Sequence, residues 1–220
     1  MGEVELTGEN QFFTIKSQNK AILFIDGNYM INMSRALSLK IDMENLFDEL
    51  SKEFFRKKTY WYSALESNLD RSNSTFRFLD RLQYIPRTKV YVGRMSKNSQ
   101  GAFDTALKTD AGTALSIGMV EQSILKSCDY ILLIAGDPKY IPAIRTAQRY
   151  GCIVRLIVPK QVGDLRPHNE LVKMADEKFE IDPEFLYGFE YLSESQYYDE
   201  DEKENVDQSD VIEVDLENED

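Results

Sequence analysis

The sequence is poor in the residues that build zinc sites and disulfide frameworks. It has two cysteines, Cys128 and Cys152, and a single histidine, His168. The usual zinc ligands are therefore too few for a site, and two cysteines in 220 residues are typical of reduced, buried thiols. The sequence also lacks an uninterrupted apolar run of signal-peptide or membrane-span length. We therefore expect a cytoplasmic protein without a membrane span.

The net charge of −12 is concentrated in one segment. Residues 193–220 contain thirteen Asp and Glu residues against the single Lys203, whereas residues 1–192 carry equal numbers of acidic and basic side chains. An acidic segment with few aromatic residues cannot bury enough apolar surface to fold. We therefore predict a polar leader over residues 1–19, a neutral domain over 20–192 and a disordered acidic tail over 193–220. A neutral domain remains compatible with a polyanionic ligand.

Apolar runs alternate with helical periodicity along the domain. Five runs predict strands, at residues 20–26, 59–65, 89–92, 130–135 and 152–158. Helices are predicted at 42–57, 71–82, 110–126 and 138–150, with a loop at 93–103 and a closing segment from residue 170 to beyond 176. Strands written as unbroken apolar runs and separated by helices specify a mostly parallel sheet covered on both faces. The predicted fold class is α/β.

Carboxylates follow two of the clearest strands. Asp26-Gly27-Asn28 comes after the first strand and Asp137-Pro138 after the fourth. In open α/β sheets, ligands bind beyond the carboxyl ends of the strands where the strand order reverses, so Asp26 and Asp137 face one another if their strands are neighbours. Two close carboxylates share a proton or bind a cation. Oxygen ligands suit Mg²⁺ or Mn²⁺, and such a metal can activate water for phosphodiester hydrolysis.

These two motifs, together with the closing stretch from Asn169 to Asp176, resemble the NYN domain, the LabA-like branch of the PIN-like nuclease superfamily. The resemblance covers residues 20–182. It implies a three-layer α/β/α fold with a sheet ordered 3-2-1-4-5, an acidic pocket for Mg²⁺ or Mn²⁺, and hydrolysis of single-stranded or structured RNA. It also implies that Asp26 and Asp137 bind metal and that Asn28 positions substrate or water.

The chain departs from the family pattern at several acids. The family places a second Asp two residues after the one that follows the fourth strand, where this chain has Lys139. Two further family acids, on the preceding helix, align with Gly112 and Gly118. Asp110 could replace one of them if it caps that helix, because loop freedom would let its carboxylate reach the pocket. Lys139 is either a solvated helix residue or an internal cation that pairs with the pocket carboxylates.

Structural roles compete with functional ones at several of these residues. Asp137 followed by Pro138 is typical of a helix N-cap with proline at the first helical position. Asp110 is also explained by capping alone, and Asp26-Gly27-Asn28 by a turn. The aromatic run at residues 60–62 could stack on bases, but in a central strand it is more typical of core.

Basic residues gather on and around the third predicted strand. They are Arg87, Lys89, Arg94, Lys97 and Lys108. Cations beside a carboxylate pocket suit a phosphate backbone that must be held in place. The alternative is a mixed-charge surface, because Asp80 and Asp104 lie nearby in the sequence.

Two functions therefore stay open at this point. The first is a metal-dependent endoribonuclease, with Mg²⁺ or Mn²⁺ on Asp26, Asp110 and Asp137 and with RNA contacted by Asn28, Arg94, Lys97, Lys108 and Lys139. The second is a catalytically silent NYN domain that binds RNA or a protein. Phosphotransfer of the haloacid-dehalogenase type is disfavoured, because it requires an Asp at position 28 and because no nucleotide-binding Gly-rich loop is present.

The acidic tail contains one aliphatic stretch, from Val211 to Leu216, followed by acids. It resembles the SUMO-interacting motif, and such a segment can add a strand to the sheet edge of a protein partner. The alternative is a solvated charge run with chance aliphatic residues. A homodimer is also left open by the sequence.

Overall fold

The computed structural model describes residues 17–66, 74–97, 103–104, 110–160 and 165–190. The predicted acidic tail, Lys108 and most of the predicted leader lie outside these ranges. For residues 94–97 the backbone is described and the side chains are not. None of the helices in the described ranges has both the length and the apolar character needed to cross a membrane.

Within the described ranges, seven strands form one sheet in the order β4-β3-β2-β1-β5-β6-β7. Every neighbouring pair is parallel except the two-residue β4, which runs antiparallel to β3. The five predicted strands correspond to β1, β2, β3, β5 and β6, so the predicted order 3-2-1-4-5 is confirmed. The strands are β1 (Ser17–Asp26), β2 (Phe54–Glu66), β3 (Thr88–Lys97), β4 (Phe103–Asp104), β5 (Tyr130–Ile134), β6 (Ile153–Pro159) and β7 (Glu177–Ile181).

Helices cover both faces of this sheet, which confirms the three-layer α/β/α architecture. One core contains buried residues from α1, α2, α3 and α7, and the other contains buried residues from α4, α5 and α6. Side chains alternate along β1, so that Leu23 and Ile25 enter the first core and Ile22 and Phe24 the second. The helices are α1 (Gly27–Ala36), α2 (Met43–Leu50), α3 (Ser74–Leu82), α4 (Ala111–Ile124), α5 (Ile141–Arg149), α6 (Asn169–Met174) and α7 (Pro183–Tyr187), with a 3₁₀ turn at Pro138–Tyr140 before α5.

Two predicted boundaries are wrong for the same physical reason. The helix predicted over 42–57 ends at Leu50, because Phe54 begins β2 and packs its ring 5.0 Å from that of Tyr130. The loop predicted over 93–103 starts as strand, because Gly93 to Met95 pair with β2. In both places, partners distant in sequence override the local pattern.

The structure adds a helix, α1, that the sequence pattern does not indicate. Its first residues, Gly27 and Asn28, are typical of a turn. Asp26 caps this helix by accepting a hydrogen bond from the Tyr29 N–H. On the helix itself, the side chains of Met30 and Met33 are buried. Burial of this face therefore outweighs the weak helix propensity of its start.

The two cysteines are free and buried, which confirms the prediction of reduced thiols. Cys128 lies just before β5 and Cys152 just before β6, and the Cys152 thiol donates a hydrogen bond to the Cys128 carbonyl at 3.4 Å. They therefore serve as small core residues in the second core.

We expect Phe24→Ala to lower the free energy of unfolding by about 3–5 kcal/mol, because Phe24 is fully buried in the central strand and its loss leaves a cavity. Denaturant titration followed by circular dichroism measures this change. The matched control is Phe55→Ala, at a ring that is 71% exposed, with an expected change within about 0.5 kcal/mol. Equal effects from the two variants would contradict the described core.

Candidate functional site

The strand order reverses between β1 and β5, so a crevice opens where these two parallel strands end. Asp26 ends β1, and Asp137 follows β5. Asp110 precedes α4, the helix that packs beside them. We call these three residues the carboxylate trio. The fold therefore brings Asp26 and Asp137 together at the carboxyl ends of neighbouring strands. The third residue, Asp110, immediately precedes α4.

Each member of the trio caps a helix or turn. Asp26 accepts from the Tyr29 N–H at 3.2 Å, Asp110 from the Gly112 N–H at 3.1 Å and Asp137 from the Lys139 N–H at 2.8 Å. The capping roles predicted for Asp110 and Asp137 are thus confirmed. One oxygen of each carboxylate is held by a backbone N–H, which fixes the side chain and partly offsets its charge.

Tyr140 contacts the trio through Asp26, although no feature of the sequence marks it except its place three residues after Asp137. It is almost completely buried, and its hydroxyl donates to Asp26 Oδ2 at 2.7 Å. Burial raises the pKa of Tyr140 far above its ordinary value, and the charges of Asp26, Asp137 and Asp110 raise it further. All three carboxylates therefore lie close enough to act on one phenol.

Asn28 ties α1 to β2 just beyond the end of β1. Its Oδ1 accepts from the Ala64 N–H at 3.2 Å, and its Nδ2 donates to the Ala64 carbonyl at 3.4 Å. β1 ends at Asp26, which pairs with Tyr62. The backbone of Ala64, two residues further along β2, therefore has no neighbouring strand on the side that faces β1. The Asn28 carboxamide takes the place of that strand, so this arrangement gives it a structural task in addition to the predicted contact with substrate.

Lys139 is exposed at the pocket and pairs with a member of the trio. Its Nζ lies 3.2 Å from Asp137 Oδ2, which confirms the predicted pairing with a pocket carboxylate. Its side chain also lies against α4, because a Cβ placed on Gly112 would be 2.5 Å from Lys139 Cε and 2.9 Å from Nζ. Lys139 therefore occupies the space that an acidic side chain at position 112 would need.

Gly118 makes room for a second side chain in the same way. A Cβ on Gly118 would lie 2.3 Å from the hydroxyl oxygen of Tyr62, which projects from β2. Burial raises the pKa of Tyr62, so this hydroxyl stays protonated at neutral pH. The two positions that align with family acids are thus glycines covered by Lys139 and Tyr62.

The trio does not offer a ready ligand set for a divalent cation. One oxygen of each carboxylate accepts a backbone N–H, and the second oxygens accept from the Tyr140 and Thr113 hydroxyls or face the Lys139 ammonium. Among the described residues, no three His, Cys, Asp or Glu side chains lie close enough together to hold a metal ion. In this arrangement the pocket fits the Lys139 ammonium better than it fits Mg²⁺ or Mn²⁺.

The basic residues of β3 lie at different distances from the pocket. Arg87 precedes β3, and its carbonyl accepts a hydrogen bond from the Thr59 N–H near the amino ends of the strands. The crevice lies at their carboxyl ends, so the prediction that Arg87 lies beside it is wrong. Arg94 and Lys97 lie on β3 beyond the row of paired residues that contains Asp26. Their side chains and Lys108 are outside the described part of the chain, and their contact with phosphate stays a prediction.

We expect Tyr140→Phe to change how stability depends on pH. The buried Tyr140 keeps its proton at pH values where the unfolded chain, with a tyrosine pKa of about 10, has lost it. The free energy of unfolding therefore falls as the pH rises above about 10, and the variant should lose stability less steeply, by up to about 1.4 kcal/mol per pH unit. Urea titrations at a series of alkaline pH values measure this slope. Tyr84→Phe, at a ring that is 86% exposed, is the control, and equal slopes for Tyr140→Phe and the unmodified protein would contradict the expectation.

We expect the double variant G112D/K139D to gain affinity for Mn²⁺, because it restores two carboxylates and removes the competing ammonium. At a Mn²⁺ concentration ten times the Kd, the variant should gain about 1.4 kcal/mol. This corresponds to a rise in Tm of about 3–6 °C by thermal denaturation. The unmodified protein and Lys173→Asp, which repeats the lysine-to-aspartate change on exposed α6, should show no such rise. Stabilisation of the unmodified protein by Mn²⁺ would contradict the assignment of Lys139 as an internal cation.

Comparison with known proteins agrees with this architecture. The model of the NYN domain family matches residues 20–181. Among solved structures, a protein of unknown function from Vibrio parahaemolyticus is similar, with a TM-score of 0.56 and 16% sequence identity over 77% of this chain and 96% of that chain. No match was found among curated proteins. At this identity the structural likeness shows the fold alone, whereas the family match spans most of the described residues: the chain belongs to the NYN domain family and has its PIN-like, nuclease-type fold.

Proposed function

We propose that this chain is a catalytically silent NYN domain that binds RNA. The observation that carries the proposal is the position of Lys139, which lies on Gly112 and pairs with Asp137. Hydrolysis of a phosphodiester by this kind of site relies on a metal ion that lowers the pKa of a bound water molecule and stabilises the developing charge. An ammonium group offsets carboxylate charge but does not bind and activate water in that way.

The pocket is internally balanced to a degree that supports a binding role. The carboxylate trio carries three formal charges, and Lys139 offsets one of them. Helix and turn N–H groups hold one oxygen of each carboxylate, and Tyr140 holds a second oxygen of Asp26. These contacts lower the repulsion among the carboxylates, although Lys139 offsets only one of their three charges.

Family membership and the basic residues of β3 support RNA as the partner. Arg94 and Lys97 lie on β3 beyond the row of paired residues that contains Asp26. In this part of the sheet, β2 and β3 extend further than β1. With Lys108 they would place positive charge beside the pocket, and the phosphate backbone is the part of RNA that such charge attracts. Lys139, whose side chain is 44% exposed, can add a contact at the pocket itself.

A second candidate function is metal-dependent cleavage of RNA. The placement of Asp26 and Asp137 after neighbouring parallel strands, with Asp110 at the start of α4, favours it, because these three residues would then be the ligands of Mg²⁺ or Mn²⁺. This function requires the exposed Lys139 side chain to turn away from Asp137. It also requires the trio to exchange some of its present hydrogen bonds for the metal.

The two candidates differ in the fate of the RNA. We expect the full chain to raise the anisotropy of fluorescein-labelled single-stranded and hairpin RNA, with an affinity that falls as salt increases. We expect no cleavage products on denaturing gels with Mn²⁺, Mg²⁺ or EDTA. Products that depend on metal and vanish in Asp26→Asn would contradict the silent assignment and establish the second candidate. An absence of both binding and cleavage would contradict both candidates and direct attention to protein partners.

A further inference from the structure

Three aromatic rings form a nearly parallel stack that runs across β1, β2 and β3. The Phe24 and Tyr62 ring centroids are 6.4 Å apart with an interplanar angle of 9°, and those of Tyr62 and Tyr91 are 4.8 Å apart with an angle of 8°. Phe24 is fully buried and Tyr62 is 4% exposed, whereas Tyr91 is 43% exposed. The stack therefore begins in the core and ends at an exposed ring.

The exposed end of the stack lies level with the pocket. Asp26 pairs with Tyr62, and Tyr62 pairs with Tyr91, so the three residues form one row across the sheet. Their side chains project from the same face, because Phe24 and Tyr62 are in the second core and Asp26 reaches Tyr140 there. With strands about 4.8 Å apart, Tyr91 lies about 10 Å from Asp26 along this row.

The next row on this face has almost no side chains. Ala64 pairs with Gly93 two residues beyond the Tyr62 and Tyr91 pair. Because side chains alternate along a strand, Ala64 and Gly93 share the face of the ring stack. Asn28 holds the Ala64 backbone in place. The sheet thus presents two small, half-buried residues between the exposed ring and the carboxyl ends of the strands, with the pocket on the β1 side.

We propose that the exposed ring of Tyr91 binds one nucleobase of single-stranded RNA by stacking, with the RNA strand passing over Ala64 and Gly93 toward the pocket. This inference rests on the proposed RNA-binding function and names the part of the RNA that this surface recognises. Every base has an aromatic face, so stacking on tyrosine tolerates many sequences. The described ring contacts of Tyr91, to Tyr60 and Tyr62, come from β2, which leaves its outer face for a base. These contacts also hold the ring in place before RNA binds, which lowers the entropy lost on binding.

The charges around this surface do not oppose the approach of a base. Lys89 lies one row before Tyr91 on the same face, and Glu121 projects from α4. Both are close enough to Tyr60 for their charges to act on its hydroxyl in opposite directions. Lys58 adds a second positive charge, since its Nζ lies 5.8 Å from the centroid of the Tyr60 ring. The surface is therefore not strongly acidic, and a base can approach it without strong repulsion of its phosphates.

The test uses the full chain and a single-stranded RNA 12-mer that carries one 2-aminopurine, whose fluorescence is quenched when it stacks. We expect the unmodified protein and Tyr91→Phe, which keeps the ring, to quench this fluorescence on binding. Tyr91→Ala should abolish the quenching and weaken binding by about 5- to 150-fold, the range for loss of one stacked base. Tyr84→Ala, at an exposed tyrosine that follows the end of α3, is the matched control and should bind like the unmodified protein.

Other outcomes separate this inference from the proposed function. If the unmodified protein binds the 12-mer and Tyr91→Ala binds it equally well, the stacking site is wrong while RNA binding stands. If the unmodified protein binds no RNA, the proposed function itself fails. An abasic oligonucleotide of the same length should be bound equally by the unmodified protein and Tyr91→Ala. If Tyr91→Ala loses as much affinity for this oligonucleotide as for the 12-mer, base stacking is overturned. A lower molar mass of Tyr91→Ala in solution would show instead that this face joins two copies of the chain.

Discussion

Carboxylates at the carboxyl ends of neighbouring parallel strands repel one another, and the whole pocket depends on how that repulsion is offset. Here it is offset from three directions. The starts of α1, α4 and the 3₁₀ turn present backbone N–H groups to Asp26, Asp110 and Asp137. The buried Tyr140 hydroxyl donates to Asp26, and the Lys139 ammonium pairs with Asp137. Each of these partners comes from an element that ends or begins at the same side of the sheet.

The two glycines of α4 explain how Lys139 and Tyr62 can reach this region. A side chain at Gly112 would meet the flexible end of Lys139, which can move aside, whereas one at Gly118 would meet the hydroxyl of the buried Tyr62. The departures from the family pattern therefore lie next to one another. At the two positions where the family pattern has acids on this helix, the chain has glycines, and the side chains of Lys139 and Tyr62 occupy the space beside them. An ammonium and a phenol in place of carboxylates lower the negative charge of the pocket.

Tyr62 connects this change to the surface beyond the pocket. Its hydroxyl lies against Gly118, and its ring stacks between Phe24 and Tyr91. A larger residue at position 118 would push the hydroxyl away and disturb the ring stack. Beyond Asp26 the strands β2 and β3 continue without β1, and Asn28 satisfies the Ala64 backbone that would otherwise lack a partner. The pocket and the exposed ring are therefore parts of one continuous surface built on β2.

The sequence by itself determined the fold class, the five central strands and the carboxylates that follow two of them, because continuous apolar runs and helix-capping residues are local signals. The resemblance to the NYN domain supplied the strand order. Only the tertiary structure decided that Lys139 lies on Gly112, that Tyr140 joins the carboxylates and that Tyr91 ends a ring stack. Each of these contacts joins residues on different elements, and its existence depends on strand register and on the absence of a side chain at a partner distant in sequence. Local patterns carry no information about either, which is also why α1 and the end of α2 differ from the prediction.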